Sequence, residues 1–301
     1  MKSVPELPFR VLTHNIRHST SSPFKGERLW EDRRQLLLNA FQYHTRHQDS
    51  FICLQEVHHN QLVDVLSGLN KTCGTGTSQN QKEWAYIGVG RDDGHEAGEY
   101  SPIFYRPATW QLRHWETVWL SETPHVPSKS WDADSIRIVT IGVFTHHASH
   151  QTVLAMNTHL DDQGSRSRYE AAHIMLDKIR EYRSGKYCDT ISGVFVAGDF
   201  NSEESQEAYT VLTGPGSTLV DSGKAVSSAE HYGNQITWTG FGYEDEPASR
   251  IDYILVGPGG SREASSQCWR VEGYAVQANR FDDGVYCSDH RAVVADVTLL
   301  G

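Results

Sequence analysis

The chain has 301 residues, a formal net charge of −11 and 38% hydrophobic residues, among them 8 Trp and 13 Tyr. That is enough apolar material for a sizeable core, and with 22% charged residues it excludes a disordered chain. No apolar run of about 18 residues occurs, so no membrane span and no membrane partner is expected, and the acidic balance argues against tight, extended binding of a polyanion.

Phe9 to Ile16 reads as a first strand, and Glu27 to Arg46 as an amphipathic helix with Trp30, Leu37, Phe41 and His44 inward. Ser50 to Val57 is a buried strand, followed by a helix capped by Asn60 with Val63, Leu66 and Leu69 on its inner face. Lys71 to Lys82 reads as an exposed loop rich in Gly, Thr, Ser and Gln. Tyr86 to Val89 and Pro102 to Arg106 are strands flanking a Gly-rich, acidic loop, and Thr109 to Leu120 is a longer strand. Ser121 to Asp134, with two prolines and Trp131, is a loop on the substrate side. Ile136 to His146 and Gln151 to His159 form a hairpin, and Ser167 to Glu170 a capping box before a helical face of Tyr169, Ala172, Leu176 and Ile179. Then come a strand at 192–198, a short helix at 205–212, and strands at 251–256, 268–276 and 292–299. Strands predominate and turns are short, which points to two mostly antiparallel sheets packed face to face with helices outside. No composition shift divides the chain, so one domain over 1–301 is expected.

The five cysteines, at 53, 73, 188, 268 and 287, have no paired spacing, and their odd number argues for a reducing compartment. A cytoplasmic or nuclear location is expected. A secreted one stays open, because a removed leader leaves no trace. No obligate protein partner is evident.

Six short islands adjoin apolar runs, and each carries a residue that binds a metal or handles a proton. They are His14-Asn15-Ile16-Arg17, Leu54-Gln55-Glu56, Asn157-Thr158-His159, Gly198-Asp199-Phe200-Asn201, Arg250-Ile251-Asp252-Tyr253 and Ser288-Asp289-His290. Glu56, His159 and Asp199 close their strands, whereas Asp252 and Asp289 open theirs. Antiparallel neighbours place a strand end beside a strand start, so these groups are expected on one rim. Singly, each reads as an ordinary strand end; jointly they make a cation site with an imidazole beside it. Oxygen ligands suit Mg2+ or Mn2+, and Zn2+ less, since neither a Cys/His ligand set nor HExxH occurs. His14 and the pair His58-His59 read as bystanders.

In this order and with this local grammar, the islands LQE, NTHL, GDFN and SDH resemble the endonuclease/exonuclease/phosphatase superfamily, the deoxyribonuclease-like metal-dependent phosphoesterases, from about Phe9 to Leu299. The resemblance implies an α/β, four-layer αββα sandwich. It is closest to a microbial branch of unassigned substrate. The marks of that branch are Asn15-Ile16-Arg17, Trp30-Glu31-Asp32-Arg33, Pro102-Ile103-Phe104-Tyr105, Trp131 with Asp132 and Arg137, and His159-Leu160-Asp161-Asp162 with Ser167-Arg168.

The resemblance implies Glu56 as the main metal carboxylate, with Asn15 and Asp289 beside the metal. Asp199 would orient or deprotonate the attacking water, and Asn201 would hold the phosphate. His159 would contact the phosphate or assist the leaving group. His290 would bind the scissile phosphate or transfer a proton, with Asp252 fixing its tautomer. Outside this set, Arg17, Arg137 and Arg168 are candidates for holding substrate phosphates by their fork geometry, and Trp131, Tyr105 and Trp238 for stacking a ring. The leading expectation is a Mg2+- or Mn2+-dependent phosphodiesterase, of which a nuclease is one form, whose partner is a nucleic acid or a small phosphorylated molecule. The alternative is a phosphomonoesterase for a sugar or inositol phosphate. A catalytically dead binding module comes third, since no position of the set is lost.

Overall fold

The computed structural model describes residues 5–71, 83–188, 190–242, 247–258 and 268–301. Lys71 ends a helix, and the rest of the loop expected at 71–82, with Cys73, lies outside the described residues. Among the described residues, thirteen strands and five α-helices follow one another as β1 Leu7–Asn15, α1 Trp30–Thr45, β2 Ser50–Gln55, α2 His59–Lys71, β3 Ala85–Ile87, β4 Ile103–Tyr105, β5 Trp110–Trp119, β6 Ile138–His146, β7 Thr152–His159, α3 Ser165–Ser184, β8 Ile191–Asp199, α4 Glu207–Thr213, β9 Val220–Asp221, α5 Ser222–Ala225, β10 His231–Gly233, β11 Asp252–Pro258, β12 Trp269–Val276 and β13 Val293–Leu299.

One sheet has the order β10-β12-β13-β1-β2-β4-β3 and the other β5-β6-β7-β8-β11-β9. Most neighbours are antiparallel. The parallel pairs are β1 with β2, β7 with β8, and the short edge pair of β10 with β12. Between the sheets, Phe9 and Phe51 pack edge to face with Trp110, Trp269 and Phe144, and Val11, Ala155, Phe195 and Val297 fill the spaces. On the outer faces, α1 and α2 cover the first sheet through Leu37, Phe41, Leu62 and Val65, and α3 and α4 cover the second through Ala172, Met175, Leu176 and Leu212. The layers are helix, sheet, sheet, helix, as the strand pattern and the family resemblance imply. Among the described residues no helix is long and apolar enough to cross a membrane.

Two helix registers differ from the expectation. In α2 the buried residues are Leu62, Val65 and Leu69, and Val63 is 52% exposed. The helix begins at His59 rather than after Asn60, and the stripe of Leu62, Val65 and Leu69 packs on the sheet, with Leu66 at its margin. In α3 the first turn starts at Ser165, before the expected capping box, and Tyr169 faces solvent. Its free amides are capped from a distance: Asp132 accepts from the backbone N–H of Arg166 and Ser167 at 3.1 and 2.7 Å. The short elements β9, α5 and β10 have too few residues to show a period.

Beneath the rim, a buried polar clasp joins the sheets. Gln55, at the end of β2, donates from Nε2 to Asn157 Oδ1 of β7 at 2.7 Å and to Thr13 Oγ1 of β1 at 3.0 Å. Asn157 in turn donates to the carbonyls of Leu54 and Pro102, both at 2.8 Å. Both amides are fully buried, so water offers no substitute. Asn157→Leu removes the shortest of the Gln55 amide's bonds, leaving Thr13 and the Cys53 carbonyl as its acceptors, and takes a side-chain donor from each of two buried carbonyls; each buried group left short of a partner costs about 1–3 kcal/mol. Urea unfolding is expected to show a loss of about 3 kcal/mol or more; a variant within about 0.5 kcal/mol of the parent would show that the clasp is not structural.

Candidate active site

Strand register assembles the site. In the second sheet, His159 of β7 lies opposite Asp199 of β8, and Asp199 lies opposite Asp252 of β11. Three neighbouring strands therefore present an imidazole and two carboxylates at one level. In the first sheet, Asn15 of β1 is paired with Gln55 of β2, so Glu56 emerges just beyond the paired ends. The segment before β13 brings in Asp289 and His290, and a bridge between Trp238 and His290 ties that segment to the 236–240 loop. All six islands meet on one rim.

Asn15 spans the two sheets: its Nδ2 donates to Glu56 Oε1 and to Asp199 Oδ2, both at 2.9 Å. Asp199 Oδ2 also lies 3.5 Å from His159 Nε2 and 3.6 Å from His290 Nε2, and Oδ1 accepts from the Asn201 N–H at 2.9 Å. On its far side His290 donates from Nδ1 to Asp252 Oδ2 at 2.9 Å, while the backbone carbonyl of His290 accepts from His14 Nε2 at 3.1 Å. Asn201 Nδ2 donates to the Leu160 carbonyl at 3.0 Å, which identifies that atom as the nitrogen. That nitrogen also lies 3.0 Å from His159 Nε2, and His159 Nδ1 faces Glu99 Oε2 at 3.6 Å.

The groups divide sharply by charge preference. Burial opposes charge on His290, but Asp252 and then Asp199 outweigh it and hold the imidazole well above its ordinary 6.5. Burial and the nearby Asp252 push Asp199 up, against the pull of two imidazoles and Asn15. Burial raises Asp289 as well, with Glu56 adding to it and His290 and Arg17 opposing. Burial works against ionised Glu56 too, but a hydrogen bond from His18 and the charges of His159 and Arg17 take it well below the ordinary carboxylate value. His14 is driven down to about 3 by burial and serves as a neutral donor.

Arg17, Glu56 and Asn201 sit at strand ends with φ of 58°, 55° and 45°. Left-handed backbone is uncommon for residues with side chains and marks places where surrounding structure overrides local preference. Here that structure is Arg33 of α1, almost wholly buried, whose guanidinium donates to the carbonyls of Ile16, Arg17 and Cys287. Gln61 adds a second grip: it donates to the Arg17 carbonyl and accepts from the N–H of Ser19 and of His58. The Trp30-Glu31-Asp32-Arg33 mark thus has a physical task, to hold the Asn15–His18 turn against the strand that carries His290.

The cleft above this floor has a volume of about 600 Å3. Of the candidates read from sequence, Arg17, Arg137, Glu56, His159, Asp199, Asn201, Asp289, His290 and Trp238 line it, and Asn15 and Asp252 lie beneath, hydrogen-bonded to lining residues. Arg168, Trp131 and Tyr105 do not line it. Arg168 is buried, pairs with Glu207 and donates to the Asp161 carbonyl, so its fork is occupied in fixing α3 to α4. Trp131 stands in the loop before β6 with a left-handed φ of 60°, and it is its neighbour Asp132 that does the anchoring. Tyr105 belongs to the core between the sheets.

Several lining residues escaped the sequence reading, and two of them stand beside Glu56 and His159. His18 donates from Nδ1 to Glu56 Oε2 at 2.7 Å, and Glu99 reaches the cleft from the acidic loop between β3 and β4, where Arg91 pairs with it at 2.8 Å. His18 stands one position beyond the NIR island, and nothing in a Gly-rich loop foretells which carboxylate turns inward.

The residues fit a divalent cation. Donor atoms of His18, Glu56 and Glu99 lie within 4.8 Å of one another, and the cleft carries seven carboxylates (Glu56, Glu99, Asp134, Asp162, Asp199, Glu203 and Asp289) against two guanidiniums, Arg17 and Arg137. Both guanidiniums are already paired, Arg17 with Glu27 and Arg137 with Asp161 and Asp162. Glu56, Glu99, Asp199 and Asp289, the four of these that are at least partly buried, crowd together in a way that suits a cation.

The model of the Endonuclease/Exonuclease/phosphatase family matches residues 12–290. The chain belongs to that family. Family members are phosphoester hydrolases, generally dependent on a divalent metal, and this chain is an enzyme of that kind. It is similar to an endonuclease/exonuclease/phosphatase from Bacteroides vulgatus at 30% identity, covering 97% of this chain and 99% of that one, with a TM-score of 0.79. It is also similar to a family protein from Bacteroides thetaiotaomicron at 28% identity, with coverage of 98% and 99% and a TM-score of 0.81. A mannosyl-6-phosphatase from Bacteroides thetaiotaomicron is 29% identical over 96% of this chain and 99% of that one, with a TM-score of 0.79. No curated protein matches the sequence significantly.

At the cleft mouth, Asp161 holds loop to helix. It accepts from the N–H groups of Asp134, Ser135, Gln163 and Gly164 and from Arg137. Burial raises its carboxyl, but these donors outweigh burial and lower it from the ordinary 3.8 to about 2. The ionised group therefore contributes its full stability above pH 3.8 and loses it as pH falls towards 2. Asp161→Asn is expected to flatten the stability–pH curve in that window and to be destabilised above it. Parallel curves for the two proteins between pH 2 and 5, by urea unfolding, would contradict this role.

Proposed function

We propose that the protein is a divalent-metal-dependent phosphomonoesterase acting on a phosphorylated sugar. The observation that carries this reading is the character of the cleft. A nucleic acid or other polyanion needs a cationic track, and here seven carboxylates face two guanidiniums that are already paired. A neutral, hydroxyl-rich substrate with one phosphate is suited instead. Asp134, Asp162, Gln163 and Gln206 offer acceptors and amides to vicinal hydroxyls, and the half-buried Trp238 offers a ring face for a pyranose. The similarity to a mannosyl-6-phosphatase over nearly the full length of both chains points the same way.

This reading reverses the order of the two expectations drawn from the sequence. The phosphodiesterase version keeps one observation in its favour, since the catalytic floor is the same for either ester.

His290, favoured as imidazolium between Asp252 and Asp199, places positive charge where a phosphate dianion binds and has a proton for the departing sugar oxygen. Asp199, whose carboxyl is raised, is placed to orient water and take its proton, with Asn15 and the Asn201 backbone fixing the carboxylate. Asn201 Nδ2 and His159 stand beside it to hold phosphoryl oxygens. A cation held by Glu56 and its neighbours supplies charge neutralisation at the phosphoryl group.

The test is a metal-supplemented panel of hexose 6-phosphates, mononucleotides and bis-p-nitrophenyl phosphate. A preference in kcat/KM of roughly tenfold or more for a sugar monoester is expected, and faster diester hydrolysis would overturn the reading. His290→Ala is expected to cut kcat by roughly 100-fold or more with the fold intact by circular dichroism. Trp238→Ala is expected to raise KM for the sugar ester about fivefold, in keeping with a lost stacking contact, with kcat little changed. An unaltered KM would remove Trp238 from the substrate site.

A further inference from the structure

We infer that the cation site of this protein includes an imidazole ligand, His18, with Glu56 and Glu99, and therefore prefers Mn2+ or a softer first-row metal to Mg2+. The inference rests on the metal-dependent reading above and departs from the sequence expectation, in which Asn15, Glu56 and Asp289 formed an all-oxygen set.

Three observations carry it. First, one ring nitrogen of His18, a Glu56 oxygen and a Glu99 oxygen lie mutually within 4.8 Å. Ligands bound at about 2.0–2.2 Å around one ion are separated by about 3–4.4 Å, so the three atoms surround a volume of the right size. Second, they arrive from three separate elements, and each is held by other groups. The turn carrying His18 is fixed by Arg33 and Gln61 at the adjoining Arg17 carbonyl. Glu56 Oε1 accepts from Asn15 while Oε2 faces His18, and Arg91 holds Glu99 through Oε2. Fixing the carriers from outside orients ligands before the ion enters. Third, further carboxylates, Asp199 and Asp289, line the same cleft beside Glu56 and Glu99.

Donor type then decides the ion. Mg2+ demands near-octahedral oxygen coordination and sheds water reluctantly, whereas an imidazole nitrogen raises affinity along the first-row series from Mn2+ upward. Asn15 is committed as a donor to Glu56 and Asp199 through Nδ2, and its Oδ1 accepts from the Arg17 N–H at 3.0 Å. Its amide thus positions Glu56 rather than adding an oxygen to the shell.

The experiment titrates Mn2+ into the full-length protein without substrate and follows free and bound ion by electron paramagnetic resonance, with Mg2+ as competitor. Mn2+ is expected to bind roughly tenfold or more tightly than Mg2+, with nitrogen modulation in the pulsed spectrum of the bound ion. His18→Gln is expected to abolish that modulation and to weaken Mn2+ roughly tenfold while leaving Mg2+ within about threefold, and Glu99→Gln to weaken both ions. His18 is partly exposed and tolerates replacement, and circular dichroism checks each variant. Bound Mn2+ with no nitrogen modulation, or unchanged Mn2+ affinity in His18→Gln, overturns the inference and leaves the metal-dependent reading standing. Absence of any Mn2+ or Mg2+ binding in the parent protein overturns both, and Glu56→Gln, expected to remove binding, shows that the measured ion is the one in the cleft.

Discussion

The hydrogen bond from Gln55 to Asn157, 2.7 Å long and sealed between the sheets, sets the height of one sheet's rim against the other's. Glu56 is the next residue after Gln55, and His159 lies two residues beyond Asn157. A slip of either strand by one position would break this bond and turn Glu56 or His159 to the opposite face. Hydrophobic packing cannot impose such a register, because Phe, Val and Leu pack acceptably at several offsets. Directional hydrogen bonds between buried amides can, since any offset strands donors and acceptors that water does not reach. Two sheets that bury their faces are thereby made into two halves of one site.

Above the clasp, the molecule accepts unfavourable terms. Three residues carry left-handed backbone, and carboxylates crowd where burial and mutual repulsion push Asp199 and Asp289 up. The cost is borne by neighbours that are well satisfied. Arg33 feeds three carbonyls of the strained turn and of the segment before β13, and Asn15 divides its amide between the two sheets. Asp161 and Asp132 do the same for the loop and helix at the mouth. A site that concentrates negative charge in this way is organised around a cation and around His290, the imidazole that Asp252 and Asp199 keep charged. The scarcity of free positive charge elsewhere in the cleft makes a compact substrate with a single phosphate the better electrostatic match.

The family, the αββα layering and most of the reactive groups are legible in the linear chain. Apolar runs, buried on both faces in β2, β7, β8 and β11, and short polar turns predict the sheets. The six islands keep their order because each is bound to a strand end, and strand ends are local features. Helix faces are less legible: Val63 and Tyr169 face outward because the sheets pack on the stripes of Leu62, Val65 and Leu69 in α2 and of Ala172, Met175 and Leu176 in α3. Arg168 and Trp131 look like ligands for a phosphate and a ring, yet one is engaged by Glu207 and the other stands away from the cleft. An arginine's partner depends on chain folded many residues away, which no local pattern encodes.

Glu99 and His18 show the division most clearly. By itself, the sequence determined which chemical groups exist and that strands would deliver Asn15, Glu56, His159, Asp199, Asp252 and His290 to sheet edges, because alternation and strand termination are written in neighbouring residues. Only the tertiary structure decided which carboxylate of the acidic loop turns inward, that His18 shares an oxygen of Glu56, and that the cleft's guanidiniums are already taken. Those outcomes are set by competition for partners across distant segments, and such competition is resolved only when the chain closes on itself.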